Sequence, residues 1–504
     1  MTEKAGEHSP ENLERGLGLL DATMIVIGSM IGSGIFITSA ESARLVGAPG
    51  WLLMAWALAG VLTITGALCC AELAAMMPRA GGQYVFLREA YGPLAGFLFG
   101  WSLFLIIQTG TIAAVAIAFA KFTGVLTNAV SPNNYIVEPV VFGRYALSLS
   151  TEQLVAVLLI VLLTIVNTRG LETGKLIQNI FTFTKTAALV GLIVVGLALG
   201  WRGFDGAAWT SHWWDAPANG WNPERVQTGL GAFGALALVM LLGRAMTGPL
   251  FAQSAWNNVT FTGSEIREPG RNLPRALLVG CAAVVALYLL ANVVYVVTLP
   301  LGEIQGATQG RVATAAMEKI FGAAGTILMA SAIMISTFGC NNGLILAGAR
   351  VYFAMARDRL FFERVARVNR RRVPAVALVA QGVWASFLTL PRTVTTTEAG
   401  GKVNTTFGNV YTQLLEYIVS ADLIFYALMV GAVIVMRRKA PNAERPYRTW
   451  GYPVIPLIYI ALALLLVADL AYLTPLTSGI GYLLVLTGIP VYFIWRGRAS
   501  RGVT

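Results

Sequence analysis

The sequence predicts an all-α polytopic membrane protein with about twelve spanning helices, and three observations carry that expectation. Of 504 residues, 56% are hydrophobic and 12% charged, with a mean hydropathy of +0.68, far from the balance of a soluble globular chain. The apolar residues gather into long runs, each near or above the ~20 residues that cross a bilayer as helix. Lys and Arg alternate from one connection to the next, and that alternation orients the chain.

In chain order the runs lie at 20–45, 50–77, 93–126, 152–168, 176–200, 228–262, 274–299, 320–356, 374–391, 411–436, 453–473 and 478–495. The segments on the side of the N-terminus hold 25 Lys and Arg, against 8 on the other. Positive charge stays cytoplasmic, so both termini are expected inside, with the chain in the plasma membrane (a bacterial inner membrane). The net charge of +11 is then a topology signal and implies no nucleic acid. Residues 1–18 are polar and lack the short apolar core of a removable signal peptide. They are expected as a cytoplasmic tail, with 497–504 as the second. The basic loop 357–373, ending in "RRRVP", reads as a topology anchor. The segment near 201–227 holds Trp201, Trp209, Trp213, Trp214 and Trp221, as expected of rings at a membrane interface.

Little suggests catalysis. Cys69, Cys70, Cys281 and Cys340 fall inside apolar runs without metal spacing and read as small core residues. His8 and His212 lie outside the runs, and there is no nucleotide loop or nucleophile motif. No enzyme activity, metal or cofactor is expected.

Two runs are interrupted. "GSMIGSGIF", Gly28 to Phe36, sets three glycines and two serines inside the first. "GPLFAQSAWN", Gly248 to Asn257, sets a proline and small residues inside the sixth. Open backbone survives at bilayer depth only against protein or a water-filled cavity. Breaks about five passes apart point to an inverted repeat with a site at the repeat interface. A broken helix offers N–H groups to an anion and carbonyls to a cation, and a zwitterion such as an α-amino acid suits both. Gly28 and Gly32, four apart, also fit a close-packing helix face. Lys185 lies within the fifth run, where a lysine is costly and by default functional; it also fits a tie between two helices.

"GSMIGSGIF" resembles the first-helix signature of the amino acid/polyamine/organocation superfamily. "AELAAMMPRAGGQYVFLREAYGPLAGFLFGW" (71–101), "FAQSAWNNVTFTGSEIREPGRNLPRAL" (251–277), "STFGCNNGLILAGARVYFAMARD" (336–358) and "GIPVYF" (488–493) resemble its L-type amino acid transporter branch, in bacterial form. The resemblance implies the five-plus-five inverted repeat of the LeuT-type fold, over 19–200 and 201–436, with two further helices in 437–496. It implies alternating access and transport of neutral L-amino acids, commonly by sodium-independent exchange. The N–H groups of Gly32, Ser33 and Gly34 would take the substrate carboxylate. The carbonyls of Met30, Phe251, Ala252 and Ser254 would take the ammonium, with the Phe251 ring as a lid and Asn342 bordering the substrate. "FTFTKTAAL" matches the pattern in which a lysine, here Lys185, stands where sodium-coupled relatives hold an ion. Ser254 and Ala255 replace a usual Gly-Gly pair, and Gln108 and Thr109 replace a usual Arg-Pro. The connection 127–151 has no cysteine, so no disulfide-linked heavy chain is expected.

Two other functions fit the same chain, a cationic amino acid or polyamine carrier and a non-transporting amino acid sensor. Arg244 and Asp422 lie too deep in their runs to belong to loops. Buried charges pair or face water, so the two fit a thin outer gate that forms above the substrate when the outer vestibule closes; Arg244 also fits a contact to an acidic substrate side chain, or a side chain that snorkels to the outer surface.

Overall fold

The computed structural model describes residues 16–200, 212–227, 229–371, 373–399, 402–408 and 410–501. Tail residues 1–15 and 502–504, His8, Trp201 and Trp209 lie outside the described residues.

Helix α1 (Leu19–Met30) starts where the Asp21 carboxylate accepts the Gly18 backbone N–H at 3.0 Å, placing negative charge at the positive end of the helix. After an irregular turn come α2 (Gly34–Ile37) and α3 (Ser39–Val46). Proline opens α4 (Pro49–Met76), at a position whose N–H would be unpaired anyway. A short α5 (Gln83–Tyr91) precedes α6 (Pro93–Ser102). One wide, i→i+5 turn over Leu103–Ile107 joins α6 to α7 (Gln108–Leu126). Thr109 Oγ1 donates to the Phe104 carbonyl at 2.7 Å inside that turn.

Two strands, β1 (Tyr135–Phe142) and β2 (Tyr145–Ser150), lead into α8 (Thr151–Asn167). Ser150 Oγ accepts the Gln153 N–H at 3.3 Å and Gln153 Oε1 the Ser150 N–H at 2.7 Å, a reciprocal cap that fixes the helix start. Then follow α9 (Leu171–Leu199), α10 (Ala235–Ala245), α11 (Thr247–Ala252), α12 (Asn258–Phe261) and α13 (Pro269–Thr298). The chain continues through α14 (Val312–Phe321), α15 (Ala323–Arg357) and α16 (Ala375–Leu388) to β3 (Pro391–Ala399) and β4 (Lys402–Phe407). It ends in α17 (Val410–Lys439), α18 (Val454–Leu473) and α19 (Pro475–Arg501).

Among the described residues, ten helical stretches are long and apolar enough to cross a membrane. The fourth and ninth runs form the shorter apolar helices α8 and α16, because each meets a strand. The strands themselves depart from an all-helical reading. Their Val- and Thr-rich segments favour extended backbone, and Tyr145 pairs with Thr393 and Leu147 with Pro391, joining two distant connections into one four-stranded sheet.

Helix α1 is surrounded by α9, α13 and α15, while α18 and α19 pack at the periphery against α17. Peripheral leucines such as Leu464, Leu465 and Leu486 are exposed, as lipid-facing residues are in a membrane-spanning bundle. Small residues set the close approaches: a Cβ on Gly280 of α13 would stand 2.6 Å from Val26 of α1.

The arginine-rich face is closed by specific ion pairs, not only anchored by charge. Arg350 of α15 grips Glu265 in a fork, at 2.6 and 3.1 Å, both side chains buried. The Glu265 carbonyl accepts the N–H groups of Gly16 and Leu17, and Arg267 donates back to Leu17. Glu72 of α4 accepts from Arg437 at 2.9 and 2.7 Å and from the Thr449 N–H at 2.7 Å. Trp221 donates its indole N–H to the last turn of α3, at Leu45, and Trp51 donates to the Trp214 carbonyl. Within the tryptophan-bearing segment, the Trp221 side chain thus closes the end of α3.

Arg350→Met leaves Glu265 buried without its cation, a loss of about 3–5 kcal/mol. Thermal unfolding in detergent should show a large drop for that variant and recovery of most of it when Glu265→Met is added.

Candidate functional site

At Ile31–Ser33 the first helix loses its ladder at full burial. The neighbours take up its carbonyls one by one. Tyr288 of α13 donates to Met30 at 2.8 Å and Tyr295 to Ile35 at 3.2 Å. Cys340 and Ser336 of α15 approach the carbonyls of Ser29 and Ile31 at 3.4 and 3.5 Å, and Thr38 donates to Gly34 at 2.9 Å. Lys185 of α9 is fully buried and donates its ammonium to the Gly28 carbonyl. It ties α9 to the helix end at the break.

The sixth helix opens over Gln253–Asn257, between α11 and α12. Ala255 adopts φ +64°, a left-handed conformation that costs a residue with a Cβ about 1–2 kcal/mol and glycine nothing. Trp256 stacks on Tyr426 of α17 at 5.2 Å, and Asn257 bonds Gln83 at 2.6 Å, so the turn is braced from both sides. The Phe251 carbonyl accepts both the Ser254 N–H, at 3.1 Å, and the Ser254 hydroxyl, at 2.7 Å. Its two lone pairs are therefore used inside the turn, and it is not the open ammonium acceptor that the motif leads one to expect. The Met30 carbonyl holds Tyr288 on one of its two lone pairs and keeps the other. Among the described residues no hydrogen bond closes on the carbonyls of Ala252 and Ser254.

The two breaks meet. A Cβ on Gly34 would stand 2.7 Å from the Ala252 Cα, so the start of α2 and the end of α11 are in backbone contact. Above them lies Tyr411 of α17, which no sequence motif singles out. Its hydroxyl bonds Ser33 Oγ at 3.0 Å, its ring meets Phe251 edge-on at 6.1 Å, and the Lys121 ammonium lies 5.1 Å from its centre. Tyr411 forms part of the floor of a cavity of about 200 Å³ on the arginine-poor face, bordered also by Arg244, Thr247 and Glu416.

Three expected placements change. Arg244 and Asp422 are not brought together: Arg244 bonds Gln227 at 3.0 Å and Glu416 at 3.5 Å. Glu416 stands six residues before Asp422, which by helix geometry is ~9 Å along α17 and on another face. Asp422 instead lines a separate space of about 20 Å³ with Ser254, Trp256 and Tyr426. Asn342 accepts from Asn167 of α8 at 2.8 Å and lies ~200° around α15 from Cys340, facing away from the first break. Its neighbour Asn341 is fully buried, and among the described residues neither end of its amide has a partner. Gln108, in the place of the usual arginine, donates to the Leu344 carbonyl at 2.8 Å and ties α7 to α15.

A family model described as amino acid permease matches residues 17–494. The chain belongs to the amino acid permease family. The permease is similar to the large neutral amino acids transporter small subunit 2 of Homo sapiens, 31% identical over 96% of this chain and 80% of that relative. It is 29% identical to the Asc-type amino acid transporter 1 of Mus musculus, over 96% of this chain and 82% of the relative. It is also 29% identical to the serine/threonine exchanger SteT of Bacillus subtilis (strain 168), over 98% of this chain and all of the relative. The superfamily expected from the motifs is thereby the right one, and the permease is a multi-pass helical membrane protein.

The strained turn makes a direct prediction. In the permease, Ala255→Gly trades relief of strain against unfolded-state entropy, so its unfolding free energy, measured by denaturant titration in detergent, should stay within about 1 kcal/mol of the parent. Ala255→Val, β-branched at a positive φ, should lose clearly more than that.

Proposed function

We propose that the permease carries neutral L-amino acids across the plasma membrane by alternating access, through sodium-independent exchange or uptake. The carrying observation is the buried contact between two helix breaks at Gly34 and Ala252. In this reading the N–H groups of Gly32, Ser33 and Gly34 receive the substrate carboxylate. The open carbonyls of Ala252 and Ser254 receive the ammonium, and Phe251 and Tyr411 roof the site. Relatives named as transporters of large neutral amino acids and as a serine/threonine exchanger support the substrate class and the mode. The function assigned here is transport, with no chemical step.

The same proposal takes 19–200 and 201–436 as the two inverted repeats. It puts both termini in the cytoplasm, because the arginine-rich face is the one the positive-inside rule assigns there. The arginine-poor face, with the sheet and the 200 Å³ cavity, is then the outer one. Lys185 supplies a fixed positive charge beside the first break, which makes a sodium ion unnecessary. The outer connection 127–151 has no cysteine and the four cysteines are buried, so a disulfide-linked partner is not proposed.

Uptake of radiolabelled leucine and serine into proteoliposomes tests the reading. Gly34→Val, whose Cβ would press on the Ala252 backbone, should abolish uptake, and amino acid methyl esters should not compete. Replacing sodium by choline should leave the rate unchanged, whereas Lys185→Ala should lower it strongly. Strong ester competition, or a steep sodium dependence, would overturn the assignment.

One observation favours a second reading. Asp422 stands beside Ser254 and Trp256 at the sixth-helix break, where a carboxylate suits a cationic side chain. A cationic amino acid carrier predicts that lysine and ornithine compete better than leucine, and that Asp422→Asn reverses the order. If leucine competes better in the unmutated permease, this second reading falls.

A further inference from the structure

The outer cavity contains chemistry that the central site does not use. Its wall carries two guanidiniums and two carboxylates: Arg44 and Glu41 already pair with each other at 2.7 Å on α3, whereas Arg244 and Glu416 come from different helices, α10 and α17. They approach to only 3.5 Å, a long contact for such a pair, and both remain partly exposed. A guanidinium has five N–H donors; those of Arg244 reach Gln227 and, loosely, Glu416. Thr247, on the same wall, is more than nine-tenths buried, and among the described residues its hydroxyl has no partner. A buried hydroxyl without a partner is met by water or by a ligand. The space, about 200 Å³, is several times the ~30 Å³ that one water occupies, so a small amino acid fits.

We propose that this cavity is a second binding site for zwitterionic α-amino acids, an outer capture site above Tyr411. The carboxylate takes the free donors of Arg244, the ammonium takes Glu416, and the Thr247 hydroxyl bonds the head group. The zwitterion replaces a loose ion pair with two closer ones, so no net charge is buried on binding. Tyr411 divides this site from the helix breaks, and its hydroxyl must leave Ser33 for the substrate to pass down. The assignment of a zwitterion rests on the transport reading above; the cavity and its charges do not.

Cysteine protection tests it on the full chain in proteoliposomes. Thr412 is exposed on the cavity wall and the four native cysteines are buried, so Thr412→Cys gives a single site for a charged methanethiosulfonate reagent. Saturating L-serine should slow labelling several-fold, and should still do so with Gly34→Val or the milder Gly34→Ala, which disable the central site. Serine methyl ester should not protect, and Arg244→Gln or Glu416→Gln should remove protection. Protection that vanishes in both Gly34 backgrounds, or that survives both charge substitutions, overturns the outer site. Failure of the transport reading is seen separately, as absent uptake by the unmutated chain, and leaves the protection result standing.

Discussion

A bilayer supplies no hydrogen bonds, and the structure turns on how it meets that constraint where two helices are left open. Every carbonyl freed near Ile31–Ser33 that is not left for a ligand must be met by a neighbour, since an unmet one costs several kcal/mol in hydrocarbon. Tyr288 and Tyr295 come from α13, Ser336 and Cys340 from α15, Lys185 from α9. Those helices are therefore bound to pack around α1 in one register. The fold around the first break is, to that extent, a list of donors arranged at the right depth.

Much of this was legible in the residues. Glycine and serine clustered at bilayer depth mark a break because they offer little side chain to shield a helix from its surroundings, and Lys185 within an apolar run announces a partner. The break at 248–257 could be read from Pro249 and its small neighbours. What the chain alone could not give is the rotation of one helix against another. Arg244 needs an acid on α17, and two lie within two turns of each other; only the position of α10 relative to α17 selects Glu416 over Asp422. The orientation of Asn342 turns on the same kind of geometry, since one residue step on α15 turns a side chain by ~100° and so separates Cys340, Asn341 and Asn342 onto three faces. The strands were missed although their Val and Thr runs were visible, because pairing β2 with β3 joins segments more than two hundred residues apart.

The charges divide into two kinds of work. On the arginine-rich face, Arg350 and Arg437 are held by short forked contacts to Glu265 and Glu72, geometry that resists opening. On the opposite face the Arg244–Glu416 pair is long and partly exposed, beside the hydroxyls of Thr247 and Tyr411. A carrier that alternates must break contacts on both sides of its site in turn, and in this structure the two sides are unequally secured. The cavity accordingly opens toward the weaker one.

The wide turn at Leu103–Ile107 carries a consequence of its own. By inserting a residue into the ladder it shifts the phase of the third helix by ~100°, so that α6 and α7 present different azimuths to the bundle. Gln108, which reaches α15, and Lys121, which lies over Tyr411, owe their directions to that single extra residue. The helix behaves as two gears on one shaft set out of step, and its length in residues, more than the identity of any one of them, keeps the upper gear meshed.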